Sequence, residues 1–161
     1  MLNNNFDYIN RLIAFGIFLL TFIVYFDTMA PTVSYWDCGE FIAVSHTLGV
    51  PHPPGSPFFL LLGRIFSMLP FNEDIAFRVN IISPLVSALA VMLLYLSIVK
   101  VVTHWRGKVN SLSDCLIVFG GGAAGALAFA FTDSHWFNAV EAEVYAFSTF
   151  FTAIVVWLIL L

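Results

Sequence analysis

PTVSYWDCGEFIAVSHTLGVPHPPGSP, residues 31–57, decides how the rest of the chain is read. It carries two carboxylates, Asp37 and Glu40, two histidines, His46 and His52, and prolines at 51, 53, 54 and 57. Around it the chain is apolar: 60% of residues are hydrophobic, 10% are charged, and the mean hydropathy is +0.93. A soluble domain carries roughly 25% charged residues. The composition therefore predicts an all-α, polytopic transmembrane helix bundle. Unpaired charge near lipid is costly, so a polar stretch in such a chain needs a reason. We read it as the catalytic loop of a membrane enzyme, on the non-cytoplasmic side.

The net charge of -4 and only six basic residues exclude the basic stripe that nucleic-acid binding needs. The two cysteines, Cys38 and Cys115, have no metal-type spacing and imply no disulfide framework.

About 20 apolar residues span a bilayer as a helix. Four runs approach that length, at about 9–28, 79–101, 114–131 and 144–161. The run at 57–69 is shorter and holds Gly63 and Arg64, which suits an interfacial or re-entrant helix. Arg11 precedes the first span, and Lys100, Arg106 and Lys108 lie between the second and third, so both places, and the N-terminus, are expected on the cytoplasmic face. The other loops, about 29–77 and 132–143, then fall on the opposite face. They bring Asp37, Glu40, Asp133, Glu141 and Glu143 to one surface. Gly121 and Gly125 have the small-xxx-small spacing that lets another helix approach. The chain ends inside an apolar run, so residues 1–161 are expected to be the N-terminal part of a longer protein.

Each polar group has a plain and a functional reading. If 36–50 is a short helix, Asp37 and Glu40 share one side of it, and a partly desolvated carboxylate there can act as a general base. The plain alternative is a capping box, Ser34-x-x-Asp37. Ser111-x-x-Asp114 has the same form before the third span and is read only as a cap. His52-Pro53-Pro54-Gly55-Ser56-Pro57 cannot be helical. It breaks the helix, and it can also hold His52 rigidly near the carboxylates to bind a phosphate or orient a base. Arg64, inside an apolar run, must snorkel, pair or bind an anion, for which a lipid phosphate suits its planar fork. Arg78 is expected to pair with Glu73 or Asp74. In the second loop, Asn138 with Glu141 has the form of a helix start. Glu141 and Glu143 would diverge on a helix, so only one is expected to orient an acceptor. Two nearby carboxylates can hold a divalent metal, but nothing demands one, and no cofactor is expected.

At WDCGEF and HTLGVPHPPGSP (residues 36–41 and 46–57), and again at FTDSHWFNAVEAEVYAFSTFF (131–151), the chain resembles the polytopic glycosyltransferases of the GT-C superfamily. It is most similar to the branch, long catalogued as a domain of unknown function, that includes the vertebrate transmembrane O-mannosyltransferase and many large bacterial proteins. The resemblance covers nearly the whole chain. It implies the N-terminal part of a GT-C-like domain, with juxtamembrane helices in the first non-cytoplasmic loop. It implies a catalytic acid there, at Asp37, with Glu40 as its neighbour. It implies an inverting transfer of a sugar, mannose in this branch, from a polyprenyl- or dolichyl-phosphate carrier to a hydroxyl of a protein or glycan acceptor. His52 would help line the lipid-phosphate site. The related protein O-mannosyltransferases carry adjacent Asp and Glu in this loop, whereas Cys38 and Gly39 intervene here. The piece alone is expected to be inactive. Short loops and the branch's abundance in bacteria point to a bacterial inner membrane. The competing classes are a transporter or lipid-handling protein, and a non-catalytic membrane subunit.

Overall fold

The computed structural model describes residues 2–53, 55–107, 109 and 111–161, with side chains from residue 5 onward. Pro54 of the proline turn and Lys108 of the basic connection lie outside the described residues. Among the described residues the fold is all-helical.

Helices form where apolar residues run without a breaker. α1 (Leu2–Asp27) carries Phe15, Phe18, Phe22 and Phe26 at helical spacing, and their rings follow one another at 5.9–6.2 Å between centroids. After the polar loop come α2 (Cys38–Thr47), α3 (Pro57–Met68) and α4 (Ile75–Asn80), all too short to cross a bilayer. α5 (Ile82–Arg106) is the central helix and packs against α1, α6 (Leu112–Ala130) and α8 (Val144–Ile159). Between α6 and α8 lies the short α7 (Asp133–Ala139). The capping box expected at the start of α6 is formed: Ser111 Oγ accepts from the Asp114 N–H, and Asp114 accepts from the Ser111 N–H, both at 3.1 Å. Asp114 also takes Arg106 at 2.7 Å, which ties α5 to α6.

Among the described residues, three helical stretches are by themselves long and apolar enough to cross a membrane: Asn5–Asp27, Ile75–Arg106 and Leu112–Ala130. The chain thus has the helices of an integral membrane protein. The fourth predicted run, 144–161, forms the continuous helix α8 over Val144–Ile159. α8 has 16 residues, about 24 Å at the helical rise, and qualifies only together with α7, from which it is bent by 111°. The break at 140–143 has a physical reason: Glu141 and Glu143 turn inward there to partners on other elements.

Close packing is set by small residues, not always the expected ones. A Cβ at Gly122 would lie 2.9 Å from Val99 and 3.1 Å from Tyr95, and one at Gly125 would lie 3.1 Å from Ile98. Gly121 has nothing within 4 Å. The face that meets α5 is therefore Gly122 with Gly125, because one residue turns a helix by about 100°. Gly63 of α3 lies flush on α2, where a Cβ would come 2.4 Å from Ser45 Oγ. α2 closes at Leu48, in the left-handed region at φ 54, with the Gly49 N–H reaching the Val44 carbonyl at 2.9 Å. The chain reverses into α3 at Gly55, φ +77, a conformation open to glycine without cost. Asp74 caps α4 by accepting from the Ala76 N–H at 2.7 Å. Arg78 donates to the Leu69 carbonyl at 3.0 Å, and its charge also helps to hold the Asp74 carboxyl below its usual range.

Replacing Gly122 with Leu should cost about 1–3 kcal/mol by overpacking against Val99 and Tyr95, whereas Gly121→Leu should cost little. Thermal unfolding of the two variants in detergent measures this, and equal melting temperatures would remove Gly122 from the α5–α6 contact.

Candidate active site

The two polar loops meet at one end of the bundle. The Ala30 N–H donates to the Val140 carbonyl at 2.8 Å, and the Trp136 indole N–H to Thr28 Oγ1 at 3.1 Å. The buried Asn80 of α4 holds the first loop from beneath, its Nδ2 donating to the carbonyls of Ala30 and Thr32 at 2.9 and 3.0 Å. The first loop thus has its backbone satisfied by other elements before it reaches Ser34.

Two groups of titratable side chains follow, back to back at the start of α2. The inner group is buried. Ser34 donates its hydroxyl to Glu141 Oε2, and the Cys38 thiol donates to Glu143 Oε1 at 3.7 Å. The Glu143 N–H is 3.5 Å from Ser83 Oγ on α5. Cys38, Glu141 and Glu143 are only 0%, 4% and 7% exposed. Burial drives the Cys38 thiol far above its usual range, and the two carboxylates push it further, so it is a proton donor and no nucleophile. Burial also raises Glu143, helped by the charges of Glu141 and Asp37.

The outer group faces solvent. Glu40 grips His52 twice, accepting from its backbone N–H at 2.8 Å and pairing with ring Nδ1 at 2.6 Å. This turns Nε2 toward Asp37 Oδ2, 3.9 Å away. The hydrogen bonds from His52 hold Glu40 below the usual carboxylate range, and the bond to Glu40 raises His52 above its ordinary value. Asp37 occupies the N-cap position of α2 but makes no side-chain cap bond, and Ser34 is taken by Glu141. The capping-box alternative for Ser34 and Asp37 is therefore not realised, and the Asp37 carboxylate stands open beside His52.

Asp37, Glu40 and His52 are brought together, with Glu141 and Glu143 behind them. Arg64 is not brought to this place: its guanidinium donates to the His46 carbonyl, at the other end of α2 from Asp37. The helix start expected at Asn138 and Glu141 is also absent. Asn138 lies near the end of α7 and donates to the Ser134 carbonyl at 2.7 Å, and α8 begins only at Val144. Because 140–143 is not helical, Glu141 and Glu143 converge where a helix would have made them diverge. Three residues carry parts that spacing did not assign: Cys38, Ser83 and Trp36. Trp36 holds φ +62, and a bulky residue in that region costs on the order of 1–3 kcal/mol. That dihedral has no trace in the local sequence, and the Cys38–Glu143 bond joins residues 105 apart.

Asp37, Glu40 and His52 offer ligand atoms within 4.8 Å of one another, as do Cys38, Glu141 and Glu143. Both are donor sets that a divalent cation accepts, although in the outer set His52 already answers Glu40. Cavity volume does not mark the site. Voids of about 640 and 600 Å³, lined by Phe6, Arg11, Lys100 and Ser111 among others, lie at the far end of the bundle.

The model of the family described as the protein O-mannosyl-transferase TMEM260 N-terminal domain matches residues 37–161. The chain is 32% identical over 145 residues to the protein O-mannosyl-transferase tmem260 of Dictyostelium discoideum, covering 88% of this chain and 16% of that protein. It is 33% identical over 119 residues to the protein O-mannosyl-transferase TMEM260 of Mus musculus, covering 73% of this chain and 15% of that protein. The chain thus spans about a sixth of these relatives' length. No solved structure matches.

The Glu40–His52 pair has a defined pH window. Glu40 lies below the ordinary carboxyl value of 4.5, so its share is present above that pH and is lost as pH falls through the lowered value. His52 lies above 6.5, so its share is full below 6.5 and is lost as pH rises through the raised value. A His52 titration by NMR should show a midpoint above 6.5 that falls back in Glu40→Gln. An unchanged midpoint would show that Glu40 does not hold the imidazole.

Proposed function

We propose a reaction from the premise that the chain belongs to the family of protein O-mannosyl-transferase TMEM260 N-terminal domains. The whole protein is read as a membrane glycosyltransferase that moves a hexose, mannose by the name of its relatives, onto a hydroxyl of a protein acceptor. The donor in this reading is the sugar on a polyprenyl or dolichyl phosphate, and the anomeric configuration inverts. The carrier supplies the activated sugar, so the step calls on no nucleotide, and nothing in it demands a metal. The acids gather at the end of the bundle away from Arg11, Lys100 and Arg106. The positive-inside rule then puts the N-terminus in the cytoplasm and the site on the opposite face. With its short loops, the host bilayer is read as a bacterial inner membrane.

One observation carries the chemistry: an open carboxylate, Asp37, beside an imidazole that Glu40 holds in place. The acceptor oxygen attacks the anomeric carbon while its proton passes to Asp37. The bond from the anomeric carbon to the phosphate oxygen breaks, and the electron pair leaves with the lipid phosphate. His52, whose charged form the pairing with Glu40 favours, supplies a hydrogen bond to that phosphate. Arg64 is engaged at the end of α2, so the charge at the site falls to His52 and to parts of the protein beyond Leu161. Glu141 and Glu143 act from behind, through Ser34 and Cys38. A transporter would carry its ionisable groups at mid-span, whereas here they lie in the loops and at helix ends, which favours the enzyme.

In the full-length protein, Asp37→Asn should lower transfer from polyprenyl-phosphate mannose by about 10²- to 10⁴-fold with unchanged membrane levels. Turnover like wild type would take Asp37 out of the mechanism.

A further inference from the structure

The chain between Ser34 and Cys38 is held at both ends and free in the middle. Ser34 is bonded to Glu141 and Cys38 to Glu143, so Tyr35, Trp36 and Asp37 arch outward between two fixed points. All three are exposed, Tyr35 and Trp36 to 85% each. Trp36 is also in the left-handed region, φ +62, which bulky side chains rarely adopt. A tryptophan that served only folding would be largely buried. This one is held out in an unfavourable backbone conformation, next in the chain to the open carboxylate of the site.

Membrane interfaces do collect exposed aromatics, but their neighbours there are lipid head groups, which are often anionic. Here the adjoining groups are Asp37, Glu40 and His52, two of them carboxylates. A flat apolar ring beside several hydrogen-bonding side chains is the recognition chemistry of a hexopyranose. Such a ring has one face of C–H groups and a rim of hydroxyls.

We propose that Trp36 is a sugar-binding residue: its indole carries the C–H face of the donor hexopyranose whose anomeric carbon is presented to Asp37, and Tyr35 extends that surface. The assignment rests on the transferase reading for the identity of the sugar, and it is tested by binding, without turnover. The full-length protein in lipid nanodiscs is titrated with polyprenyl-phosphate mannose and with bare polyprenyl phosphate. Wild type should bind the sugar-bearing lipid about tenfold more tightly. Trp36→Asn keeps a residue that tolerates the left-handed backbone and should lose most of that preference, while Trp36→Phe should recover part of it.

A full preference in Trp36→Asn, or none in wild type, overturns the assignment. A preference that depends on Trp36 in a protein whose Asp37→Asn variant still turns over normally would keep the sugar site and reject the proposed base.

Discussion

The contact on which the rest of the structure depends is a double tie between two loops far apart in the chain. Glu141 and Glu143, two residues apart, hold Ser34 and Cys38, four residues apart. The mismatch in spacing leaves three residues of the first loop with nowhere to go but outward, and Asp37 is one of them. The same tie explains the bend between α7 and α8. A continuous helix through 140–143 would point the two glutamates in different directions, so the helix is interrupted to let both face α2. The 111° break and the exposed Asp37 are thus two consequences of one set of hydrogen bonds.

The electrostatics fall into two layers. Behind, the buried acids lean on two donors, the Cys38 thiol and the Ser34 hydroxyl, while the Glu143 backbone N–H points to Ser83 Oγ. Burial favours the protonated form of Glu143 and of Cys38, which limits the charge set between membrane helices. In front, the acids remain in water, and the one basic side chain beside them among the described residues, His52, is committed to Glu40 and turned toward Asp37. The inner layer gives the loop its shape, and the outer layer offers charge to a ligand. Both meet at the start of α2, which is fixed to α3 through Gly63 and Ser45 and clamped at its C-terminal end by Arg64.

Much of the architecture was legible in the sequence because it follows from local rules. Apolar length marked α1, α5 and α6, and the short run with Gly63 and Arg64 was correctly separated from them. The capping box at Ser111 and Asp114 was readable because both partners lie within one turn. The same pattern at Ser34 and Asp37 left cap and catalyst open, since the competing partner of Ser34 is 107 residues away. Glu141 and Glu143 were judged on a helix that does not form, and Gly121 was one residue out of phase with the contact that Gly122 makes. Asp37, Glu40 and His52 could be gathered from their shared loop, but their geometry could not. The 12-residue reach from Glu40 to His52 depends on how the proline turn folds back. Arg64 was drawn to the site by its charge, whereas a free carbonyl at the end of α2 was the nearer partner.

The most direct test is a double-mutant cycle on Ser34 and Glu141 in the full-length protein, with Ser34→Ala, Glu141→Ala and the pair compared by reversible SDS unfolding. Residues that share a buried hydrogen bond should be non-additive by about 0.5–3 kcal/mol, because the second change costs little once the first has broken the tie. Additive losses would mean that the second loop does not hold the first. The arched presentation of Asp37 would then need another cause.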